Sequence, residues 1–172
     1  MSAAPIPVAD QLAIAQQVAR SHQLLDDRRC DELVDDVFAP GGDGFEPSAD
    51  FGFDAWTGTV GLRAGYARSL ARFEAAVHIT GNLHLAAEAD GAVTASYDLQ
   101  GWHWLASSSA AGARPADFLL LGRMTDRFRR FDAGWRIVER TLRRHGPSVA
   151  VGQLPDWLTG LGAPTAAAGG LR

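Results

Sequence analysis

VHITGNLHLAAEADGAVTASYDLQGWHWL, residues Val77 to Leu105, decides how this chain folds. Two strand-like runs meet at Asp90-Gly91, a pair suited to a tight hairpin turn. His78 and His103 stand at the far ends of the two runs. Folding the hairpin about its turn brings the two imidazoles back towards each other at its open end.

Strand alternation assigns the faces. On the second run Val93, Ala95, Tyr97, Leu99, Gly101, His103 and Leu105 share one side. Thr94, Ser96, Asp98, Gln100, Trp102 and Trp104 share the other. His103 is thus the polar exception on the more apolar side, and Asp98 points away from it. On the first run His78 shares its side with Thr80, Asn82 and His84, against Val77, Ile79, Leu83 and Leu85. A single apolar inner face would need a bulge near Gly81 to turn His78 inward. Alternation alone leaves that open.

Helical periods precede the hairpin. Val8–Leu25 places Leu12, Ala15, Ala19 and His22, and also Ile14, Val18 and Leu25, at spacings of three and four. Asp26 follows on the stripe of Val18 and His22 and is expected to face inward. A second helix, Cys30–Phe38, buries Leu33, Val34, Val37 and Phe38 and stops at Pro40 and Gly41-Gly42. Residues 43–58 suit a loop with a short edge strand. Thr59 is placed to cap a third helix over Val60–Glu74. After a loop at 107–115, Phe118–Phe131 and Trp135–Arg144 form a second hairpin about Asp132-Ala133-Gly134. A short helix is expected at 154–161. The predicted organisation is a flexible arm (1–7), one domain (8–146) and a partly disordered extension (147–172). Helices first and strands last indicate an α+β domain, with a curved antiparallel sheet wrapped around three helices and a pocket between them.

The 172 residues suffice for one domain with a proper core, and 47% apolar with 21% charged residues is ordinary for a globular chain. No apolar run is long enough to span a membrane, and the N-terminus lacks the pattern of a signal peptide, so a cytoplasmic location is expected. The net charge of −4 argues against a nucleic-acid partner, although all 16 basic residues are arginine. The densest basic run, Arg123 to Arg144, alternates with apolar residues as a solvated sheet face would. Cys30 is the single cysteine and has no disulfide partner. Phosphate loops, zinc spacings and nucleophile elbows are not found, and no cofactor or metal is expected. The tryptophan-bearing sheet face suits either packing on helices or an oligomer interface, and an oligomer, a dimer or trimer as is usual for such a helix-and-curved-sheet fold, is expected.

Asp26, His78 and His103 are the candidate catalytic residues. A carboxylate beside an imidazole fixes its tautomer and favours its cation, which suits general acid–base work near neutral pH.

LDDRRCDELVDDVFAP (25–40), HITGN (78–82) and GRMTDRFRRFDAGWRIVERTLRR (122–144) together resemble the SnoaL-like, nuclear-transport-factor-2-like proteins. The resemblance implies a cone-shaped α+β barrel. The mechanistic resemblance is to the scytalone dehydratases, whose catalytic aspartate and two histidines fall on Asp26, His78 and His103. It implies cofactor-free dehydration of a β-hydroxy carbonyl compound. One imidazole would take the proton next to the carbonyl, and the same or the other would protonate the departing hydroxyl. The two tyrosines that polarise the carbonyl in that family fall on Leu25 and about Phe45, and a substrate-contacting asparagine falls on Met124. Tyr97, His22, Trp56 and Tyr66 are the remaining candidates for a substrate contact, Tyr97 first because it shares a face with His103. Isomerase- and cyclase-like relatives of the same resemblance shift a proton without expelling water. A different class, a non-catalytic ligand-binding or assembly module, fits the same fold.

Overall fold

The computed structural model describes residues 5–42, 46–106, 115–145 and 149–150. Helix α1 runs Val8–Asp26, α2 Cys30–Val37 and α3 Gly58–Leu70. The strands are β1 Ser48–Asp50, β2 Ala55–Thr57, β3 Phe73–Ala87, β4 Val93–Leu105, β5 Phe118–Phe131, β6 Gly134–Arg144 and β7 Val149–Ala150. They form one sheet of order β2-β1-β6-β5-β4-β3, with β7 added on β5. Among the described strands β1 and β6 pair in parallel and the other strand pairs are antiparallel. The expected α+β class holds, with the curved sheet left open between its edges, β2 and β3. No helix among the described residues is long and apolar enough to cross a membrane.

The core lies between the three helices and the inner face of the sheet. Ile14, Val18 and Leu24 of α1 and Leu33, Val34 and Val37 of α2 meet Tyr97, Phe128 and Ile137 there. On α1 the Ile14–Val18 stripe is buried, whereas Leu12 is 59% exposed, so the second stripe faces outward near its start. Phe38 ends α2 in extended conformation and bridges Ile137, and the Ala39 N–H donates to the Ile137 carbonyl at 2.8 Å. Ile6, ahead of α1, is partly buried against the core. The expected helix at 154–161, the 107–114 loop and most of the extension lie outside the described residues.

The third helix begins at Gly58 after Thr57, not behind a Thr59 cap, and stops at Leu70 rather than Glu74. Pairing with β4 claims the chain from Phe73 onward. Within α3, Gly65 leaves room for Trp56, since a Cβ there would stand 2.1 Å from the indole.

Two bulges set which polar groups face the core. On β3 the register shifts between Gly81 and His84, where Asn82 takes φ 53°. Ala76 and His78 therefore point inward before the bulge and Leu85 after it, while Val77, Ile79 and Leu83 are exposed. The extra residue reverses alternation, which supplies the rotation His78 needed. On β6 the partners jump from Phe128↔Ile137 to Arg127↔Glu139. Ile137 and Val138 are both buried, and beyond them Arg140, not Glu139, turns inward.

The expected solvated arginine face is corrected at this point, because Arg140 is only 1% exposed. Its Nε and Nη2 donate to the two oxygens of buried Asp126, both at 2.7 Å. Nη2 also reaches Ser21 Oγ at 3.0 Å and Tyr97 Oη at 3.3 Å, and Nη1 reaches Tyr66 Oη at 3.4 Å. Removing one member of a buried pair strands the other charge, at about 3–5 kcal/mol. Asp126→Ala is therefore expected to lower stability by about that amount in urea unfolding. Asp98→Ala, which breaks the exposed pair with Arg123, should cost under about 1 kcal/mol.

Candidate active site

Asp26 is the last residue of α1, and the chain then turns through Arg28 at φ 60°. The Arg28 guanidinium donates to the carbonyls of Leu70, Phe73 and Glu74, pinning this turn to the end of α3 and the start of β3. The clamp sets Asp26 against β3. One carboxylate oxygen accepts the His78 backbone N–H at 2.9 Å, and the other lies 2.6 Å from His78 Nδ1. Both oxygens are thus held by one residue. A carboxylate at Nδ1 fixes the tautomer with the proton on Nδ1, leaving Nε2 as the basic nitrogen.

His78 pairs across the hairpin with Gly101, and Ala76 with His103, so the two imidazoles are diagonal neighbours on the inner face. Their centroids are 5.5 Å apart and their planes nearly perpendicular at 83°. Gly101 makes this approach possible. A Cβ at that position would lie 2.7 Å from His103 Cε1 and 3.3 Å from His78 Cδ2.

His103 stacks on Phe118, with centroids 4.5 Å apart and planes at 8°, and touches Phe73 at 4.7 Å. Burial, reinforced by His78, pushes its pKa down to about 3. His103 is therefore neutral at neutral pH. His22, the residue four before Asp26, has its ring 5.6 Å from His78. Burial first, then Arg140 and His78, hold its pKa well below the ordinary value.

These three imidazoles border a cavity of about 90 Å³ that is partly open to solvent. Leu25, Phe51, Trp56, Tyr66, Leu99, Leu120, Met124 and Leu142 supply most of the rest of its wall, and Arg140 reaches it from below. Its lining suits a small apolar ligand with a few polar groups.

Of the sequence candidates, Asp26 and His78 meet directly, and His22, His103, Trp56, Tyr66 and Met124 all border the cavity. Tyr97 does not. Its ring is buried beneath, and its hydroxyl donates to Asp126 Oδ2 at 2.8 Å. Phe45 lies outside the described residues. Asp98 points outward to Arg123 and Asn82, as its parity implied. Sequence reasoning missed Arg140, Asp126 and Ser21. The available signal was an Asp and an Arg on facing strands of the second hairpin, with Asp126 on the parity of Met124 and Phe128.

The SnoaL-like domain family matches residues 7–141, and the chain belongs to that family. Similar solved structures include a scytalone dehydratase-like protein of Novosphingobium aromaticivorans, at 16% identity over 86% of this chain and 91% of the other, with TM-score 0.68. The hexachlorocyclohexane dehydrochlorinase LinA, type 2, is 16% identical over 87% and 95%, with TM-score 0.69. ActVI-ORFA of Streptomyces coelicolor is 15% identical over 80% and 96%, with TM-score 0.65. No curated protein matches the sequence significantly.

The buried histidines carry a stability consequence. Unfolded His103 binds a proton near its ordinary pKa of 6.5, whereas folded His103 does so near about 3. The native state binds fewer protons between those values, so stability falls as pH drops through that window. Denaturant titrations from pH 7 to pH 4 are expected to show this loss, and His103→Asn should make it shallower. Gly101→Ala should displace both imidazoles, read as shifts of the His78 and His103 ring resonances with the fold retained.

Proposed function

We propose that the protein is a cofactor-independent acid–base enzyme, a lyase of dehydratase type acting on a hydrophobic, oxygenated small molecule. The observation that carries this is the Asp26–His78 contact of 2.6 Å in the wall of an apolar cavity. Two structural relatives, the scytalone dehydratase-like protein and the dehydrochlorinase, bear names that denote eliminations, which agrees with it.

His78 Nε2 takes the proton from the carbon next to the substrate carbonyl, and Asp26 stabilises the imidazolium that forms. The electron pair released becomes the new carbon–carbon double bond as the hydroxyl leaves the β-carbon. His78 returns its proton to that oxygen, which departs as water, and the ring is again neutral. His103, neutral beside it, offers a hydrogen bond to the substrate. Tyr66 takes the part of the missing tyrosines. Its oxygen accepts from Arg140, which leaves its own O–H for the carbonyl oxygen. The same proton transfer without a leaving group would be an isomerisation or cyclisation, and product analysis separates these outcomes.

Bicyclic aromatic β-hydroxy ketones, followed by absorbance of the conjugated product, provide the assay. Asp26→Asn and His78→Gln are expected to reduce kcat by roughly 10²–10⁴-fold with circular dichroism unchanged. Undiminished turnover in the double variant would sink the proposal.

A further inference from the structure

His22 is buried, borders the cavity and has two ring nitrogens in different circumstances. Nε2 is 3.2 Å from Tyr97 Oη, whereas Nδ1 is buried with no hydrogen-bond partner among the described residues. The network beneath assigns the tautomer. Asp126, paired through both oxygens with Arg140, only accepts hydrogen bonds, so Tyr97 must spend its single proton on it. The Tyr97 oxygen then accepts, from Arg140 at 3.3 Å and from His22. His22 therefore carries its proton on Nε2, and its Nδ1 is a bare lone pair. A buried acceptor left unmatched is costly, and no protonation relieves it, because burial first and then Arg140 keep the ring neutral.

We propose that His22 is a specificity-determining residue, whose Nδ1 accepts a hydrogen bond from a hydroxyl of the ligand, so that the cavity selects hydroxylated compounds over their deoxy counterparts. Asp126 and Arg140 act as positioning residues, because they force Tyr97 to accept rather than donate towards His22. The proposal adds the substrate class to the acid–base reading above and rests on it only in taking the bound ligand to be the substrate. His78 and His22 face the same space, with ring centroids 5.6 Å apart, so a hydroxyl held at His22 sits beside the dyad.

The test uses binding, not turnover, with a naphthol and naphthalene as probes. Nitrogen NMR of the ring-labelled full chain is expected to show His22 protonated at Nε2. Adding the naphthol should move the His22 Nδ1 resonance, and naphthalene should leave it in place. The naphthol should bind roughly tenfold more tightly than naphthalene. His22→Leu, which leaves Tyr97 its bonds to Asp126 and Arg140, should abolish that preference, and His22→Asn, which restores an acceptor near Nδ1, should recover part of it. A naphthol that binds no better than naphthalene, or not at all, overturns the proposal, as does a preference surviving in His22→Leu. Should His22→Leu fail to fold, the wild-type resonance shifts decide alone. His78→Gln separates the two readings, since it should lose turnover and keep the hydroxyl preference.

Discussion

The buried pair of Arg140 and Asp126 is the constraint on which the rest of the structure depends. A guanidinium and a carboxylate withdrawn from water pay a large desolvation penalty, recovered only when their hydrogen-bonding capacity is met in place. Here the partners come from five elements: Ser21 on α1, Tyr66 on α3, Tyr97 on β4, and the pair itself across β5 and β6. Helices α1 and α3 cannot shift against the sheet without opening one of these bonds. Below the cavity, then, lies a polar floor that fixes where its walls stand.

From that floor the polarity of the cavity follows in steps. Arg140 binds Asp126, Asp126 takes the Tyr97 proton, and Tyr97 in turn accepts from His22. Burial, reinforced by the Arg140 charge, keeps His22 neutral, and burial in the aromatic slot of Phe73 and Phe118 keeps His103 so. His78 differs from both because Asp26 holds it. Three imidazoles of one chemical type thereby acquire two settings, one held by a carboxylate and two without a carboxylate partner. Environment, rather than residue type, makes the distinction.

Much of the fold was legible in the chain. The Asp90-Gly91 and Asp132-Ala133-Gly134 turns and the apolar stripes of α1 and α2 declared the hairpins and the helix faces. The Asp26 position on the Val18–His22 stripe could be read as well, because helical period is a local property. The short β1 and β2 strands and the early end of α3 were less legible. There the boundary is set by pairing with distant strands, Ser48 with Glu139 and Phe73 with Leu105, rather than by local propensity.

The sequence by itself determined the α+β order, the meeting of His78 and His103 across a hairpin, and the arrival of Asp26 from the first helix. What the tertiary structure alone decided was which groups face inward. One extra residue near Asn82 turned His78 to the cavity, and another at Val138 turned Arg140 to the core. Strand alternation has a period of two, so a single unpaired residue inverts every assignment beyond it. Such a residue is tolerated or not according to what packs against it, here the buried carboxylate of Asp126 and the carboxylate of Asp26. For that reason Tyr97, on the expected face, proved to be part of the floor, and Arg140, read as solvated, proved to hold the site together.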